Sequence, residues 1–246
     1  MNYEQWVRMS THHKRRRKHG STVGGRFTVL LDPAHGGHDT GHWEIVEGVH
    51  IFEKDLTLKF TDALIAQMPE DIQPLVTRDR DIWLTNRQRA TAKDHHYDLL
   101  ISFHVHRLEI DKVPGVYACV MDKDDDLASA IAECLVNALA EGLGIAPAAE
   151  EKRLLESDNL LFKVAQERRD KKGYPLSVLR WQGLPKWRRP SKKWGTPAVS
   201  IILGHIDVPE ELKALRSAAR IKKAAKKVVG ILTQLNKEGE NGKTAE

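Results

Sequence analysis

The sequence predicts an α/β domain with a mainly parallel central sheet that is flanked by helices. Short apolar runs rich in β-branched residues alternate with longer segments in which apolar residues recur at helical spacing. The hydrophobic fraction of 41% over 246 residues is enough for one sizeable core. Polar or glycine-rich stretches follow several predicted strands, and α/β folds place their ligands at such strand ends.

The predicted elements follow one another along the chain. The first strand covers 27–34, residues 38–51 are expected to form a loop, and Glu53 begins a helix that runs to about Met68, before Pro69. Further strands are expected at 74–78, 99–106, 115–121, 176–179 and 198–203. Further helices are expected at 84–93, 127–143 and 209–236.

The composition divides the chain into a single domain with two tails and one insertion. Residues 1–25 are strongly basic and predict a flexible arm, and residues 238–246 predict a disordered tail. The domain itself is expected to cover 26–237. Within it, 144–195 is irregular and basic and predicts a surface insertion that contains three tryptophans. These are Trp181, Trp187 and Trp194.

The formal net charge of +5 favours an anionic partner such as nucleic acid, an acidic membrane face or an anionic cell-wall polymer. The two cysteines, Cys119 and Cys134, lie in apolar patterns and are expected to be buried thiols. No apolar run approaches the length of a membrane span, and the N-terminus lacks the apolar segment of a signal peptide. We therefore expect the protein to be made in the cytoplasm.

Three residues at predicted element ends form a candidate metal site. His35 follows the first strand, Glu53 lies in the first turn of the next helix, and His104 lies near the end of the strand at 99–106. His106 is two residues further on and shares a strand face with His104. Two histidines and a glutamate that leave a fourth position open are typical of catalytic zinc.

The motifs in which these residues stand resemble those of the zinc-dependent N-acetylmuramoyl-L-alanine amidases found among bacterial cell-separation enzymes and phage endolysins. The resemblance spans about 27–236, with the motifs in the order of that family. They are Asp32–Gly37, Glu53–Asp55, Val76–Arg78, Ser102–His106, Val178–Arg180, Pro197–Val199, Leu203–Gly204 and Pro209–Glu211.

The resemblance implies that Zn²⁺ is held by His35, Glu53 and His104. It also implies hydrolysis of the amide between the lactyl group of N-acetylmuramic acid and the first L-alanine of the stem peptide. Arg78 and Arg180, which stand in two further matching motifs, are expected to bind substrate. The expected partner is therefore peptidoglycan, with nucleic acid the less favoured alternative and the oligomeric state open.

One family position departs from the pattern. The family has a catalytic glutamate just before Leu203–Gly204, and this chain has Ile202 there. An isoleucine cannot accept the proton of the attacking water. His205 and His106 are candidate replacement bases because imidazole suits proton transfer near neutral pH. Glu44 and Glu47 in the predicted loop are further candidates.

Three functions remain open from the sequence, and the least favoured of them is a nucleic-acid-associated protein, which the basic arm and the segment with tryptophans and arginines suggest. The first is a phage lysin-like amidase that reaches the cell wall after release from the cell, either during lysis or as a virion-associated protein. The second is a catalytically impaired protein with the amidase fold that binds cell wall or plays a structural role, as Ile202 suggests.

Overall fold

The structure is a computed structural model that describes residues 26–85, 88–89, 97–120, 126–156 and 197–241. The strands are β1 (Phe27–Pro33), β2 (Trp43–Val46), β3 (Val49–Phe52), β4 (Ile72–Val76), β5 (Leu99–His106), β6 (Tyr117–Val120), β7 (Leu154–Glu156) and β8 (Ala198–His205). The α-helices are α1 (Glu53–Ile65), α2 (Leu108–Asp111), α3 (Asp126–Leu143), α4 (Pro209–Arg216) and α5 (Ala218–Asn241). A 3₁₀ helix covers Glu150–Lys152.

Six strands form a central sheet in the order β4-β1-β5-β8-β6-β7, which confirms the predicted α/β class. The strands β4, β1, β5 and β8 are parallel to one another. Strand β6 is antiparallel to β8, and β7 is parallel to β6. Because β1, β5 and β8 are adjacent and parallel, their carboxyl ends meet at one edge of the sheet.

The main core lies between one face of this sheet and the helices α1, α3, α4 and α5. All seven residues of β1 are buried, as expected for a strand in the interior of a parallel sheet. Helix α1 buries Leu56, Phe60 and Leu64, which recur every four residues and therefore lie on one side of the helix. The Phe60 ring packs edge-on against Phe103 of β5.

Two predictions of secondary structure are wrong: the loop at 38–51 and the single helix at 209–236. Residues 38–51 are not only a loop, because β2 and β3 form an antiparallel hairpin with its turn at Glu47 and Gly48. Ile45 and Val49 of this hairpin are exposed, so it lacks the buried apolar face that makes a strand recognisable. The last helix is divided at Ser217, whose backbone is extended and whose hydroxyl accepts a hydrogen bond from an N–H group in the first turn of α5.

Two predicted boundaries also shift. Residues 144–156 do not belong to an irregular insertion, because they include β7, which pairs with β6 in the central sheet. Helix α5 continues to Asn241, so the first four residues of the predicted tail are helical.

Several predictions lie outside the described residues. They concern the arm at 1–25, most of the helix at 84–93, the strand at 176–179, Arg180, and the three tryptophans of the insertion. Neither Cys119 nor Cys134 forms a disulfide in the part of the chain that the structure describes; Cys119 is buried as expected, whereas Cys134 is partly exposed, which corrects that expectation. None of the helices in the described part of the chain combines the length and the hydrophobicity that a bilayer span requires.

Candidate metal centre

The side chains of His35, Glu53 and His104 converge at the carboxyl edge of the sheet. The two carboxylate oxygens of Glu53 face one imidazole each: Oε2 lies 3.2 Å from His35 Nε2, and Oε1 lies 3.3 Å from His104 Nδ1. One ligand atom from each residue lies within 4.8 Å of the other two. Glu53 is fully buried and both histidines are partly exposed, so the cluster is open to solvent on the imidazole side.

His35 adopts a backbone conformation that is unusual for a residue with a side chain, with a φ of 62°. Hydrogen bonds fix the residues that precede it. The Ala34 N–H donates to the Phe103 carbonyl of β5, and the Ala34 carbonyl accepts from the Thr57 hydroxyl of α1. The strained turn is thereby attached to both neighbouring elements that supply the other ligands.

Gly41 allows the turn to pass close to the ligands. Its φ is +63°, and a Cβ atom there would lie 2.5 Å from Glu53 Oε2 and 2.6 Å from His35 Cδ2. Only glycine fits both this conformation and this space.

Arg78 is buried beneath the same turn, and this placement does not fit the expected role in substrate binding. Its guanidinium donates to the carbonyls of Pro33, Ala34, Lys54 and Arg80, at 2.7–3.2 Å. Four of its five N–H donors are used by main-chain oxygens, and with only 2% of its surface exposed the side chain is not accessible to a substrate. Arg78 instead holds the turn that carries His35.

Neighbouring side chains set which imidazole nitrogen each histidine presents. His35 Nδ1 donates to Asp39 Oδ1 at 2.9 Å, which leaves Nε2 as the ligand atom. In His104 the two ring nitrogens have the opposite roles. The Ser102 hydroxyl donates to Asp32 Oδ2 and therefore accepts from His104 Nε2 at 3.2 Å, which leaves Nδ1 facing Glu53.

Asp32 anchors this second chain of hydrogen bonds. It is fully buried and receives two hydrogen bonds from the Arg89 guanidinium and one from Thr77. Burial would raise the pKa of Asp32, but Arg89 outweighs it and lowers the pKa to about 2. Asp32 is therefore a carboxylate throughout the neutral range and holds Ser102 as a donor.

The three ligands differ in protonation. Burial would raise the pKa of Glu53, but His35 and His104 hold it well below its usual range. Burial also lowers the pKa of both imidazoles; at His35 this is outweighed by Glu53 and Asp39, which raise its pKa to about 9. At His104 burial prevails and the pKa falls to about 4.

His106 stands next to the cluster, with its ring centroid 5.6 Å from that of His104. Its Nδ1 lies 2.6 Å from Asp111 Oδ2, and the Tyr117 hydroxyl donates to the same oxygen at 2.9 Å. Burial would raise the pKa of Asp111, but the hydrogen bond from His106 lowers it, so Asp111 accepts. His106 Nδ1 must then donate, and Nε2 keeps the free lone pair of the ring.

His205, the other candidate base, lies deeper. It is fully buried and its Nδ1 bonds Glu211 at 2.9 Å. Among the residues that the structure describes, its Nε2 has no hydrogen-bond partner, and it lies 4.0 Å from Asp111 Oδ2. His205 is the register partner of His106 across β5 and β8, and the Tyr117 ring lies beside both imidazoles.

The acidic candidates are also displaced from the cluster. Glu47 is exposed at the turn of the hairpin, at the end remote from His42, so its expected role as a base does not fit this placement. Glu44 pairs with Arg107 at 3.4 Å.

Ile202 lies where the sequence comparison places it. It stands beside His104 of β5 and opposite Tyr117 of β6. It is 1% exposed and packs with Tyr117, Cys119 and Ala148. This position has no group that could take up a proton.

The sequence reasoning missed the parts played by Asp111, Tyr117, Ser102 and His42. His42 donates its main-chain N–H to Glu53 Oε2, and its ring lies 5.7 Å from His106. Asp111 is five residues after His106, a separation that carries no periodic signal; only the turn formed by α2 brings the two together. Ser102 could have been found, because it shares a strand face with His104.

Comparisons with known proteins agree with this geometry. A family model described as N-acetylmuramoyl-L-alanine amidase matches residues 29–234. No curated protein sequence matches the chain significantly.

Solved amidase structures share the fold. An N-acetylmuramoyl-L-alanine amidase from Clostridium difficile 630 is 20% identical with a TM-score of 0.63, over 85% of this chain and 96% of that one. The catalytic domain of the amidase CwlV from Bacillus (Paenibacillus) polymyxa var. colistinus is 17% identical with a TM-score of 0.60, over 85% and 97%. The amidase AmiC2 of Nostoc punctiforme is 18% identical with a TM-score of 0.59, over 85% and 96%. Since the family model covers most of the chain, this protein belongs to the N-acetylmuramoyl-L-alanine amidase family.

Proposed function

We propose that this chain is a zinc-dependent peptidoglycan hydrolase that cleaves the amide between N-acetylmuramic acid and the L-alanine of the stem peptide. The observation that carries the proposal is the convergence of His35, Glu53 and His104 in a member of this amidase family. The peptidoglycan substrate comes from the family, and the zinc dependence comes from the donor set.

The residues present fit a zinc ion. Two imidazole nitrogens and a carboxylate oxygen are the donor set of many catalytic zinc sites, and the partial exposure of both histidines leaves room for water and substrate. The partners Asp39 and Ser102 orient both rings, as outer partners of metal ligands do. A bound zinc ion supplies Lewis-acid chemistry, which lowers the pKa of water and polarises the scissile carbonyl.

His106 is the residue that we propose for proton transfer. Asp111 accepts the hydrogen bond from its Nδ1, so Nε2 is the atom that takes the proton from the attacking water. Asp111 then stabilises the imidazolium, in the way that a buried carboxylate supports the histidine of a catalytic triad. His106 finally returns the proton to the departing amine of L-alanine. This pair does the work expected of a glutamate at the position of Ile202.

A second candidate is a protein that binds cell wall without cutting it. Ile202 favours it, because the position that would hold the family's glutamate is apolar and buried. In this case the metal ligands would serve binding or structure alone.

The biological setting that we propose is phage lysis or a virion-associated role, in which the protein reaches the wall after release from the cell. The net charge of +5 suits an anionic wall polymer as the surface on which the protein acts.

The test uses purified sacculi that carry a covalently attached dye. The zinc-loaded full chain is expected to release dye, a chelator to abolish the release, and zinc to restore it. His106→Ala is expected to lower the rate about 100-fold or more with zinc content unchanged, whereas His50→Ala, an exposed hairpin histidine, serves as the matched control. If sacculi are bound but no peptide is released after long incubation, the second candidate replaces the first.

A further inference from the structure

The outer face of helices α4 and α5 carries a dense set of cations. Between Leu212 and Lys237 the sequence contains eight lysines and arginines and no aspartate or glutamate. A solvated helix face commonly mixes charges of both signs, so a single sign over this length indicates a partner of opposite charge. Six of these cations are exposed, and we call them the basic band: Lys213, Arg216, Arg220, Lys222, Lys223 and Lys226.

The basic band forms one continuous strip. The apolar positions of α5, such as Ile221 and Val228, are buried in the core. At about 100° of rotation per residue, the band residues of α5 and Lys227 lie within about 160° of the circumference, opposite these buried positions. Where α4 meets α5, Lys59 of α1 donates to the Arg216 carbonyl at 3.0 Å and adds a cation beside the junction. The strip therefore continues from one helix to the next.

The protein itself neutralises little of this charge. Within the described ranges, five of the six band side chains have no ion pair or hydrogen bond; the exception is Arg220, which donates to the Leu143 carbonyl at 3.3 Å. The neighbouring Lys227 pairs with Glu141 of α3 at 2.7 Å. Cations four residues apart on one helix repel each other, so a bound polyanion removes a repulsion that the folded chain otherwise retains.

The shape of the basic band favours a single strand of negative charges. The band is one helix wide, which is about 10–12 Å with side chains. Helix α5 packs against both α1 and α3, and these neighbours carry the exposed carboxylates of Asp62 and Glu141. A bilayer or a nucleic-acid duplex laid across the band would bring phosphates towards these carboxylates, whereas a single strand can lie along the two helices between them.

The chemistry of the basic band favours a phosphate polymer that carries neither bases nor lipid. No aromatic residue or histidine occurs between Pro209 and Asn241, so the two helices have no ring on which a nucleobase could stack. None of the exposed large apolar side chains in the described part of the chain belongs to these helices, so the band offers no group for insertion into lipid. Its contacts are those of ammonium and guanidinium groups with phosphate oxygens.

We propose that the basic band binds a linear phosphodiester polymer of the cell wall, of which polyglycerol phosphate is the simplest form. Successive phosphates lie along α4 and α5 and contact the exposed lysine and arginine side chains. No band residue belongs to the metal centre, so this binding holds the protein on the wall and does not depend on hydrolysis.

The test measures the affinity of the zinc-loaded full chain for end-labelled polyglycerol phosphate by fluorescence anisotropy at several salt concentrations. For a single-stranded polyanion, each neutralised phosphate contributes about 0.7 to the slope of log affinity against log salt. The variant Lys222→Ala/Lys223→Ala/Lys226→Ala is expected to lower this slope by about 2 and to bind about tenfold more weakly or worse at low salt. Alanine preserves the helix.

A second triple variant, Arg26→Ala/Arg80→Ala/Lys152→Ala, is the matched control. It removes the same charge from three exposed positions outside the basic band and is expected to keep the slope within about 0.5 of the unmodified value. Both variants have the same net charge and the same arm at 1–25, so a difference between them belongs to the band. Both are expected to retain the zinc affinity of the unmodified protein, which shows that they are folded.

Equal slopes for the two triple variants would overturn the inference. Binding of oligothymidylate about tenfold more tightly than polyglycerol phosphate with the same number of phosphates would also overturn it, because stacked bases would then carry the affinity. So would band-dependent binding of phosphatidylglycerol vesicles in place of the polymer. Loss of polymer binding in the band variant with continued dye release from sacculi supports the inference and leaves the proposed hydrolysis intact. Band-dependent polymer binding without dye release supports it as well and counts against the hydrolysis alone.

Discussion

Zinc binding to the metal-free protein is expected to release about one proton near pH 6, and that proton comes from His35. Metal ligands must be proton-free to bind, so the release counts the protons that the three ligands hold beforehand. The pKa of His35 is raised to about 9, so His35 is protonated at pH 6. The pKa of His104 is lowered to about 4 and that of Glu53 lies well below its usual range, so neither contributes a proton.

The sign of the pH dependence follows from the same values. Because a proton on His35 competes with the metal at any pH below about 9, zinc affinity is expected to rise with pH. Between pH 5 and pH 6.5 only His35 changes its proton on binding, so affinity should rise about tenfold per pH unit, or about 1.4 kcal/mol. This window also lies below the pKa of about 7 that zinc gives to a bound water.

Calorimetry at pH 6 in two buffers of different ionisation enthalpy measures the proton release directly. Asp39→Asn is expected to lower the pH above which the release disappears, measured by repeating the titrations at higher pH, because Asp39 is one of the groups that raise the pKa of His35. His50→Ala is expected to leave it unchanged. A release near zero, or near two, would refute the protonation pattern on which this account of the site rests.

Three further predictions concern residues around the ligands. Ser102→Ala is expected to lower zinc affinity by 10–100-fold, because the His104 ring loses the hydrogen bond that orients it. The affinity is measured by competition with a chromogenic chelator. Ser200→Ala, at the paired position of the neighbouring strand, should have little effect. Gly41→Ala should abolish zinc binding in the same assay because its Cβ would collide with two ligands, whereas Gly48→Ala, with the same sign of φ and open space, should retain it. Asp32→Asn should lower the free energy of unfolding by about 3–5 kcal/mol in urea at pH 7, since it removes the carboxylate that pairs with the buried guanidinium of Arg89. The unmodified protein should lose about 2 kcal/mol of this stabilisation as the pH falls from about 4 to 2, because the pKa of Asp32 is depressed in the folded state and stability is present only above it. An Asp32→Asn variant as stable as the unmodified protein would contradict this assignment.

The parallel sheet and the convergence of His35, Glu53 and His104 could be predicted because each has a local signal. The predicted and the observed bounds of strand β5 agree, because its apolar run ends in His104 and His106, which are two residues apart and therefore share one face. Glu53 could be placed at a helix start from the apolar spacing that follows it. The order of parallel strands then brings these ends together without further information.

The hairpin and the proton-handling residues could not be predicted in the same way. The hairpin at 43–52 has exposed apolar residues on both strands, namely Trp43, Ile45 and Val49, so no buried apolar face marks it in the sequence. Asp111 lies at the end of the short helix α2, which brings its carboxylate to His106. No sequence periodicity relates the two positions. The sequence places Arg78 in a motif that resembles the family's, but the part it plays depends on burial, which the sequence does not show.

The most direct test of the central claim is the identity of the bond that is cut. A defined muramoyl-tripeptide is incubated with the zinc-loaded protein in ¹⁸O-labelled water, and the products are analysed by mass spectrometry. We predict a tripeptide with a new free amine on L-alanine and one ¹⁸O atom in the lactyl carboxylate of the muramic acid, with both products absent in Glu53→Gln and after chelation. Intact substrate after prolonged incubation with zinc-loaded protein would contradict the account. So would ¹⁸O at any position other than the lactyl carboxylate, because it would show that a different bond is cut.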